Sequence, residues 1–99
     1  MSFTVYFHPL AEKEVTDSYY WYETKLEGLG ERFLQEVEKK LTDILKQPDK
    51  YPKKKGIFRE ARIRLFPYLI VYKAVNKKKE VHIASVFHTS RNPKLKYRK

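Results

Sequence analysis

The stretch that decides the fold is FPYLIVYKAV, residues 66–75, the longest nearly unbroken apolar run in the chain. β-Branched and aromatic residues dominate it, and ten residues are short for a buried helix but suit a strand covered on both faces. The next apolar run, VHIASVFH at residues 81–88, follows the polar connection NKKK at 76–79. Two such runs predict a β-hairpin, whose first strand is expected to lie at the centre of a small sheet.

The residues before this hairpin predict one strand, two helices and another strand. Apolar and polar side chains alternate over residues 3–8, which indicates a half-buried strand. Apolar residues then recur at helical spacing over residues 10–26 and 29–47, with glycines at the break between the two stretches. Residues 57–66 alternate again, and they predict a strand with one apolar face and one face bearing Arg62 and Arg64.

These elements predict one α+β domain over residues 1–99, in the order β-α-α-β-β-β. We expect a four-stranded, mainly antiparallel sheet with a helical hairpin packed on one face. The other face is expected to be open to solvent or a partner. Leu69 and Val71 are expected to be buried between the helices and the sheet.

The charge of the chain is strongly asymmetric. Its formal net charge is +10. Residues 1–49 carry six Lys and Arg against ten Asp and Glu, whereas residues 50–99 carry sixteen against two. A basic half of this kind indicates an anionic partner, either nucleic acid or an acidic protein segment. The alternative is a merely solubilising surface, although soluble proteins usually intersperse the two signs.

Several classes of function are disfavoured by composition. The chain has no cysteine, which excludes disulfides, thiolate metal sites and a cysteine nucleophile. The three histidines, His8, His82 and His88, lack metal-ligand spacing, so we expect no metal and no cofactor. No apolar run approaches the ~20 residues of a membrane span, and the N-terminus does not resemble a signal peptide. A cytoplasmic protein without membrane contact is therefore the expectation.

The remaining chemistry is cationic and aromatic. The candidate binding residues come from the second half of the chain: Lys53, Lys54, Lys55, Arg62, Arg64, Arg91, Lys94, Lys96, Tyr97 and Arg98. Metal-free RNA cleavage needs a base, an acid and cations that stabilise the phosphorane. His88 could be the acid or base, Glu60 a base and Tyr97 a proton donor or stacking ring. The alternative is that these residues only bind a phosphate or an acidic protein.

The run YYWY at residues 19–22 cannot face one side of a helix. Tyr19 and Tyr22 fit the buried stripe, so Tyr20 or Trp21 must point elsewhere. Trp21 could anchor a partner or cover the flank of the second helix, and the sequence leaves both open.

Three motifs together resemble the RelE/ParE toxin superfamily: GLGERF at 28–33, FPYLIVY at 66–72 and VHIASVFHTSRNP at 81–93. They occur in the right order and at the right spacing over nearly the whole chain. The resemblance implies the toxin of a type II toxin–antitoxin pair, as in plasmid stabilisation systems, which inhibits growth when its antitoxin is absent. It also implies a cognate acidic antitoxin that wraps the toxin in a hetero-oligomer.

The superfamily divides by target. RelE-like members cleave mRNA on the ribosome, and their pattern places an arginine just after the tyrosine that opens the third strand. Here Tyr68 is followed by Leu69. The opening and the ending of the pattern resemble ParE-like members, which poison DNA gyrase. Gyrase is therefore the favoured target. The alternatives are a RelE-like endoribonuclease, with His88, Arg64, Arg91 and Tyr97 as catalytic residues, and a non-toxic nucleic-acid-binding domain.

Overall fold

The computed structural model describes residues 3–98 and places two helices on one face of a five-stranded sheet. The helices are α1 (Pro9–Lys25) and α2 (Leu29–Lys46). The strands are β1 (Thr4–Phe7), β2 (Lys53–Lys55), β3 (Phe58–Arg62), β4 (Tyr68–Val75) and β5 (Glu80–His88). Their order across the sheet is β1-β5-β4-β3-β2, with β1 parallel to β5 and every other pair antiparallel. The predicted α+β class and helical hairpin are confirmed.

The strand count differs from the prediction by one. Lys53 and Lys55 pair with Arg59 and Phe58, which makes a short edge strand of a segment expected to be a polar turn. All three lysines of β2 are exposed, so no apolar alternation marks the strand in the sequence. The prediction for residues 57–66 was also too long. β3 ends at Arg62, and Leu65 adopts a positive φ of 73° in the turn that leads into β4.

The main core lies between the helices and the sheet and is built around Phe33 of α2. The ring of Phe33 packs 4.9 Å from Tyr68 and 5.4 Å from both Tyr22 and Phe66, measured between centroids. Ile70 and Tyr72 of β4 continue this layer and are fully buried. The run at 66–75 therefore lies at the centre of the fold, as its composition predicted.

Leu69 and Val71 are not between the helices and the sheet, and that prediction was wrong. They lie on the opposite face, in a smaller cluster with Phe58, Ala84 and Tyr97. The alternation of β4 directs Tyr68, Ile70 and Tyr72 to the helices, so the intervening side chains must face away. Nor is that second face left open, because the C-terminal residues pack on it: the Ser85 hydroxyl donates to the Lys96 carbonyl at 2.9 Å.

The two helices meet at a close contact around Gly30. The Glu23 carboxylate of α1 accepts hydrogen bonds from the backbone N–H groups of Gly28, Gly30 and Glu31, at 3.1, 2.7 and 3.2 Å. These bonds satisfy donors at the start of α2 that have no partner within the helix, and they lower the pKa of Glu23. A Cβ at residue 30 would lie 2.5 Å from the Tyr19 carbonyl oxygen. The helix pair therefore requires glycine there.

We expect Gly30→Ala to lower the free energy of unfolding by about 1–3 kcal/mol, the usual cost of overpacking. In an unhindered helix the same change would raise it by about 1 kcal/mol, so the two cases differ in sign. Urea denaturation measures the effect. Gln35→Ala, at an exposed position of α2, is the matched control and should change stability little. A stabilised Gly30→Ala variant would show that the helices do not approach this closely.

Candidate functional site

The antiparallel pairing brings several predicted site residues to one end of the sheet. Arg62 at the end of β3 pairs with Leu69, and Tyr68 at the start of β4 pairs with His88 at the end of β5. Arg64 lies in the exposed turn between β3 and β4 at this same end. The segment that follows β5, which includes Arg91, also begins at this end of the sheet. Cations that are far apart in the sequence, Arg62, Arg64 and Arg91, therefore come from the same end of the sheet.

Glu14 of α1 holds two of the predicted cations. Its carboxylate accepts from Arg91 Nη1 at 2.7 Å and from both terminal nitrogens of Arg98 at 2.8–2.9 Å. The backbone N–H of Val86 donates to the same carboxylate at 3.0 Å, beyond the point where β1 stops pairing with β5. The side chains of Glu14 and Arg98 are only 12% and 14% exposed. Arg98 is therefore part of the fold, whereas Arg91 stays 43% exposed.

A second carboxylate, Glu60 of β3, holds the other C-terminal candidates. Lys96 Nζ lies 3.0 Å from Glu60 Oε2, and the Tyr97 hydroxyl donates a short hydrogen bond to the same oxygen. The Tyr97 ring packs 5.5 Å from Phe58, and Lys55 Nζ lies 5.6 Å from the Tyr97 ring centroid. Burial, followed by the hydrogen bond and charge of Glu60, raises the pKa of Tyr97 to about 12. At neutral pH this phenol holds its proton tightly, which makes it a poor proton donor.

The other predicted cations remain available at the surface. They are Lys53, Lys54, Lys55, Arg62, Arg64 and Lys94, all exposed. Within residues 3–98 none of them forms an ion pair. Their charges are therefore the ones that an anionic partner would meet.

His88 lies on the helix side of this end of the sheet. Its Nδ1 accepts from the backbone N–H of Ser90 at 3.0 Å and is 2.7 Å from the Ser90 hydroxyl. Its ring meets Tyr68 edge-on, with 5.0 Å between centroids. Because Nδ1 is an acceptor, the neutral ring carries its proton on Nε2. His88 and Arg91 line one pocket, whereas Tyr97 lines a different one on the opposite face.

Three of the candidate groups for metal-free RNA cleavage have partners within the fold, whereas Arg64 is exposed and His88 shares a pocket with Arg91. The candidate base Glu60 is paired with Lys96, the candidate acid Tyr97 has a raised pKa, and Arg91 is paired with Glu14.

In the part of the chain that the structure describes, no group of three His, Cys, Asp or Glu residues could hold a metal ion. None of the described helices is long and apolar enough to cross a bilayer.

Glu14 was not singled out by the sequence analysis. It stands among other acidic residues between the apolar positions of α1, where a solvated carboxylate is the ordinary expectation. Its partners lie 72–84 residues away. The residues after the last strand include Arg91 and Arg98 but no Asp or Glu. This excess of positive charge was the one available signal that a carboxylate from another segment would pair with them.

A small α+β domain with a helical hairpin on one face of the sheet is the fold that the resemblance to the RelE/ParE toxins implied. The family model for the ParE toxin of the type II toxin–antitoxin system, parDE, matches residues 5–93. The chain belongs to this family and is a toxin of the type II class.

Solved structures share the fold at low sequence identity. A chain of the chromosomal ParDE system of P. aeruginosa superposes with a TM-score of 0.73 and 10% identity, covering 87% of this chain and 95% of that one. A double mutant of E. coli toxin RelE in the free state superposes with a TM-score of 0.68 at 24% sequence identity. The match covers 91% of this chain and 86% of that one. The isolated E. coli RelE toxin superposes with a TM-score of 0.68 at 23% sequence identity. That match covers 92% of this chain and 88% of the RelE chain. A search of curated proteins returned no match.

We expect Glu14→Ala to lower the free energy of unfolding by about 3 kcal/mol, because it leaves the Val86 N–H without its acceptor and the largely buried Arg98 guanidinium with the Ala84 carbonyl but no counter-charge. Glu12→Ala, an exposed position on the same helix, is the control and should cost no more than about 1 kcal/mol. Denaturant unfolding measures both variants. Equal losses would mean that Glu14 contributes no more than an ordinary surface charge.

The raised pKa of Tyr97 predicts a loss of stability in alkali. Its folded-state value of about 12 lies above the ordinary tyrosine value of about 10. The proton is therefore bound more tightly in the folded state, so this stabilisation is complete below pH ~10 and disappears as the pH rises through ~12. We expect the wild type to lose more stability than Tyr97→Phe between these values in denaturant unfolding. Parallel losses would place the Tyr97 hydroxyl in water.

Proposed function

We propose that this toxin inhibits bacterial growth by binding DNA gyrase and that a cognate acidic antitoxin neutralises it in the cytoplasm. The observation that carries the proposal is the internal pairing of two of the four candidate catalytic residues, Tyr97 and Arg91. Glu60 and Tyr97 are bonded to each other, and Arg91 is bonded to Glu14. A protein that acts by binding has no need for a free acid, a free base and a cation around one phosphate.

The residue after Tyr68 supports the same proposal. The RelE-like pattern has an arginine there, whereas Leu69 of this chain packs into the apolar cluster on the second face. Replacing a phosphate-stabilising cation with a leucine removes the electrostatic contribution that is usually largest in such reactions.

The antitoxin proposal rests on charge and on relatives. The exposed cations lie on β2, at the end of β3, in the turn before β4 and in the C-terminal segment. An extended acidic chain could contact these groups one after another. The similar P. aeruginosa chain comes from a ParDE toxin–antitoxin system. A toxin–antitoxin hetero-oligomer is the expected resting form.

The RelE-like alternative is favoured by one specific observation. His88 lines a pocket together with Arg91 at the end of the sheet, and its Nε2 makes no hydrogen bond within residues 3–98. A histidine next to an arginine could transfer a proton at a phosphate. This alternative predicts ribosome-dependent mRNA cleavage that is lost in His88→Ala.

Purified bacterial DNA gyrase, relaxed plasmid and the free toxin provide the decisive assay. We expect the toxin to inhibit supercoiling and to leave ribosome-bound mRNA intact. Arg62→Ala combined with Arg64→Ala should weaken inhibition about tenfold or more, a loss of ~1.4 kcal/mol. The matched control, Lys77→Ala with Lys78→Ala, removes two exposed charges from the opposite end of the sheet and should keep full potency.

Unchanged supercoiling at saturating toxin would refute gyrase as the target. If mRNA were cleaved at codons in the same preparation, the RelE-like alternative would replace it. Harmless overexpression without an antitoxin, with both assays negative, would instead support a non-toxic nucleic-acid-binding domain.

A further inference from the structure

Trp21 is the only tryptophan of the chain and is unusually exposed for its size. More than half of it, 55%, is open to solvent. Its ring meets Tyr22 edge-on at 5.0 Å, and Lys25 Nζ lies 4.9 Å from its centroid. The fold therefore leaves a large part of the indole uncovered, and exposed aromatic rings of this kind occur at binding surfaces.

A pocket of about 340 Å³ opens beside Trp21, between α1 and the end of the sheet. This volume lies at the lower end of the range for small-ligand sites. Besides Trp21, the lining comprises polar and aromatic side chains from three separate segments of the chain: Asp17, Ser18, Tyr68, His88, Ser90 and Arg91.

The polar groups of this pocket retain free hydrogen-bonding capacity. Asp17 accepts from Lys13 through Oδ2 at 2.6 Å, and its Oδ1 makes no hydrogen bond within residues 3–98. Arg91 donates to Glu14 through Nη1 alone, which leaves Nη2 and Nε available. The Ser18 hydroxyl accepts from Tyr68 at 2.8 Å and can still donate its own proton. The pocket therefore offers an acceptor, several donors and one cation around an aromatic face.

We infer that this pocket binds a nucleotide, with the base stacked on Trp21 and the phosphate bound by Arg91. A purely apolar side chain would leave the Asp17 carboxylate and the donors without partners, at a cost in free energy. An acidic side chain could contact Arg91 but has no flat π face to stack on the Trp21 indole. A nucleobase combines a flat π face with donors and acceptors on its edge, and proteins recognise unstacked bases by stacking and edge hydrogen bonds.

Asp17 gives the site a base preference. A carboxylate accepts hydrogen bonds and cannot donate them, so it favours bases that carry an exocyclic amino group. Adenine, cytosine and guanine have one, whereas the only donor on the base edge of uracil, N3–H, is flanked by two carbonyl oxygens that a carboxylate would repel. The nucleotide could be free, or it could be an unstacked residue of a single-stranded nucleic acid, because both present the same base and phosphate. The inference does not depend on gyrase being the target.

The single tryptophan provides a direct measurement of binding. We expect AMP, CMP and GMP to quench the Trp21 fluorescence saturably and to bind at least about threefold more tightly than UMP, a difference of ~0.65 kcal/mol. Asp17→Asn should abolish this difference, because an amide can also donate. A short single-stranded oligonucleotide that binds about tenfold more tightly than any mononucleotide would identify the strand as the source, and comparable affinity would identify the free nucleotide.

Calorimetry on Trp21→Ala tests the stacking without the fluorescent probe. We expect binding to fall about tenfold or more, in line with the ~1–3 kcal/mol measured for base–aromatic stacking. Tyr20→Ala is the matched control, since Tyr20 is the adjacent aromatic residue, is 63% exposed and lies outside the pocket lining. Absence of saturable quenching by every nucleotide up to about 5 mM would overturn the inference. Equal affinity of Trp21→Ala, Tyr20→Ala and the wild type would also overturn it, because the nucleotide would then be held elsewhere.

Discussion

The carboxylate of Glu14 is the contact on which the arrangement of the basic half depends. It is largely buried in α1, and it accepts from two guanidinium groups and one backbone N–H of β5. Charge-assisted bonds of this kind are stronger than neutral ones, and one of them is supplemented by the Ala84 carbonyl, which accepts from Arg98 at 3.0 Å. The contact turns the C-terminal residues back over the sheet, so Lys96 and Tyr97 reach Glu60 on the second face.

The sequence predicted the secondary structure correctly where the spacing of apolar residues is regular. The spacing of apolar residues predicted the central strand at 66–75, the hairpin with 81–88 and both helices. β2 was missed because three exposed lysines carry no periodicity, although their backbones pair with β3. The side of the sheet that Val71 faces was also missed. An apolar run buried on both faces does not indicate which face the helices cover, and only the alternation with Tyr68, Ile70 and Tyr72 decides it.

The candidate site was predictable in composition but not in arrangement. Counting charges identified the basic half, yet the count treats Arg64 and Arg98 alike, and the structure separates them. Arg64 is exposed in a turn, whereas Arg98 is an internal counter-ion of Glu14. Which cation pairs with which carboxylate depends on contacts more than seventy residues apart in sequence, and side-chain spacing carries no information about them.

The same tail residues can serve binding or catalysis within one fold, and their internal partners decide which. A phenol that transfers protons needs a pKa near the working pH, and a carboxylate bonded to a cation offsets part of the charge that would stabilise a phosphorane. Here burial and Glu60 raise the pKa of Tyr97 to about 12, which is far from the working pH of a proton donor. Glu14 accepts a hydrogen bond from Arg91 and offsets part of its charge. What the fold leaves exposed is a set of lysines and arginines on the sheet edge and the indole of Trp21 beside an open pocket. Those features favour recognition of charged and aromatic partners, which is the kind of action proposed above for this toxin.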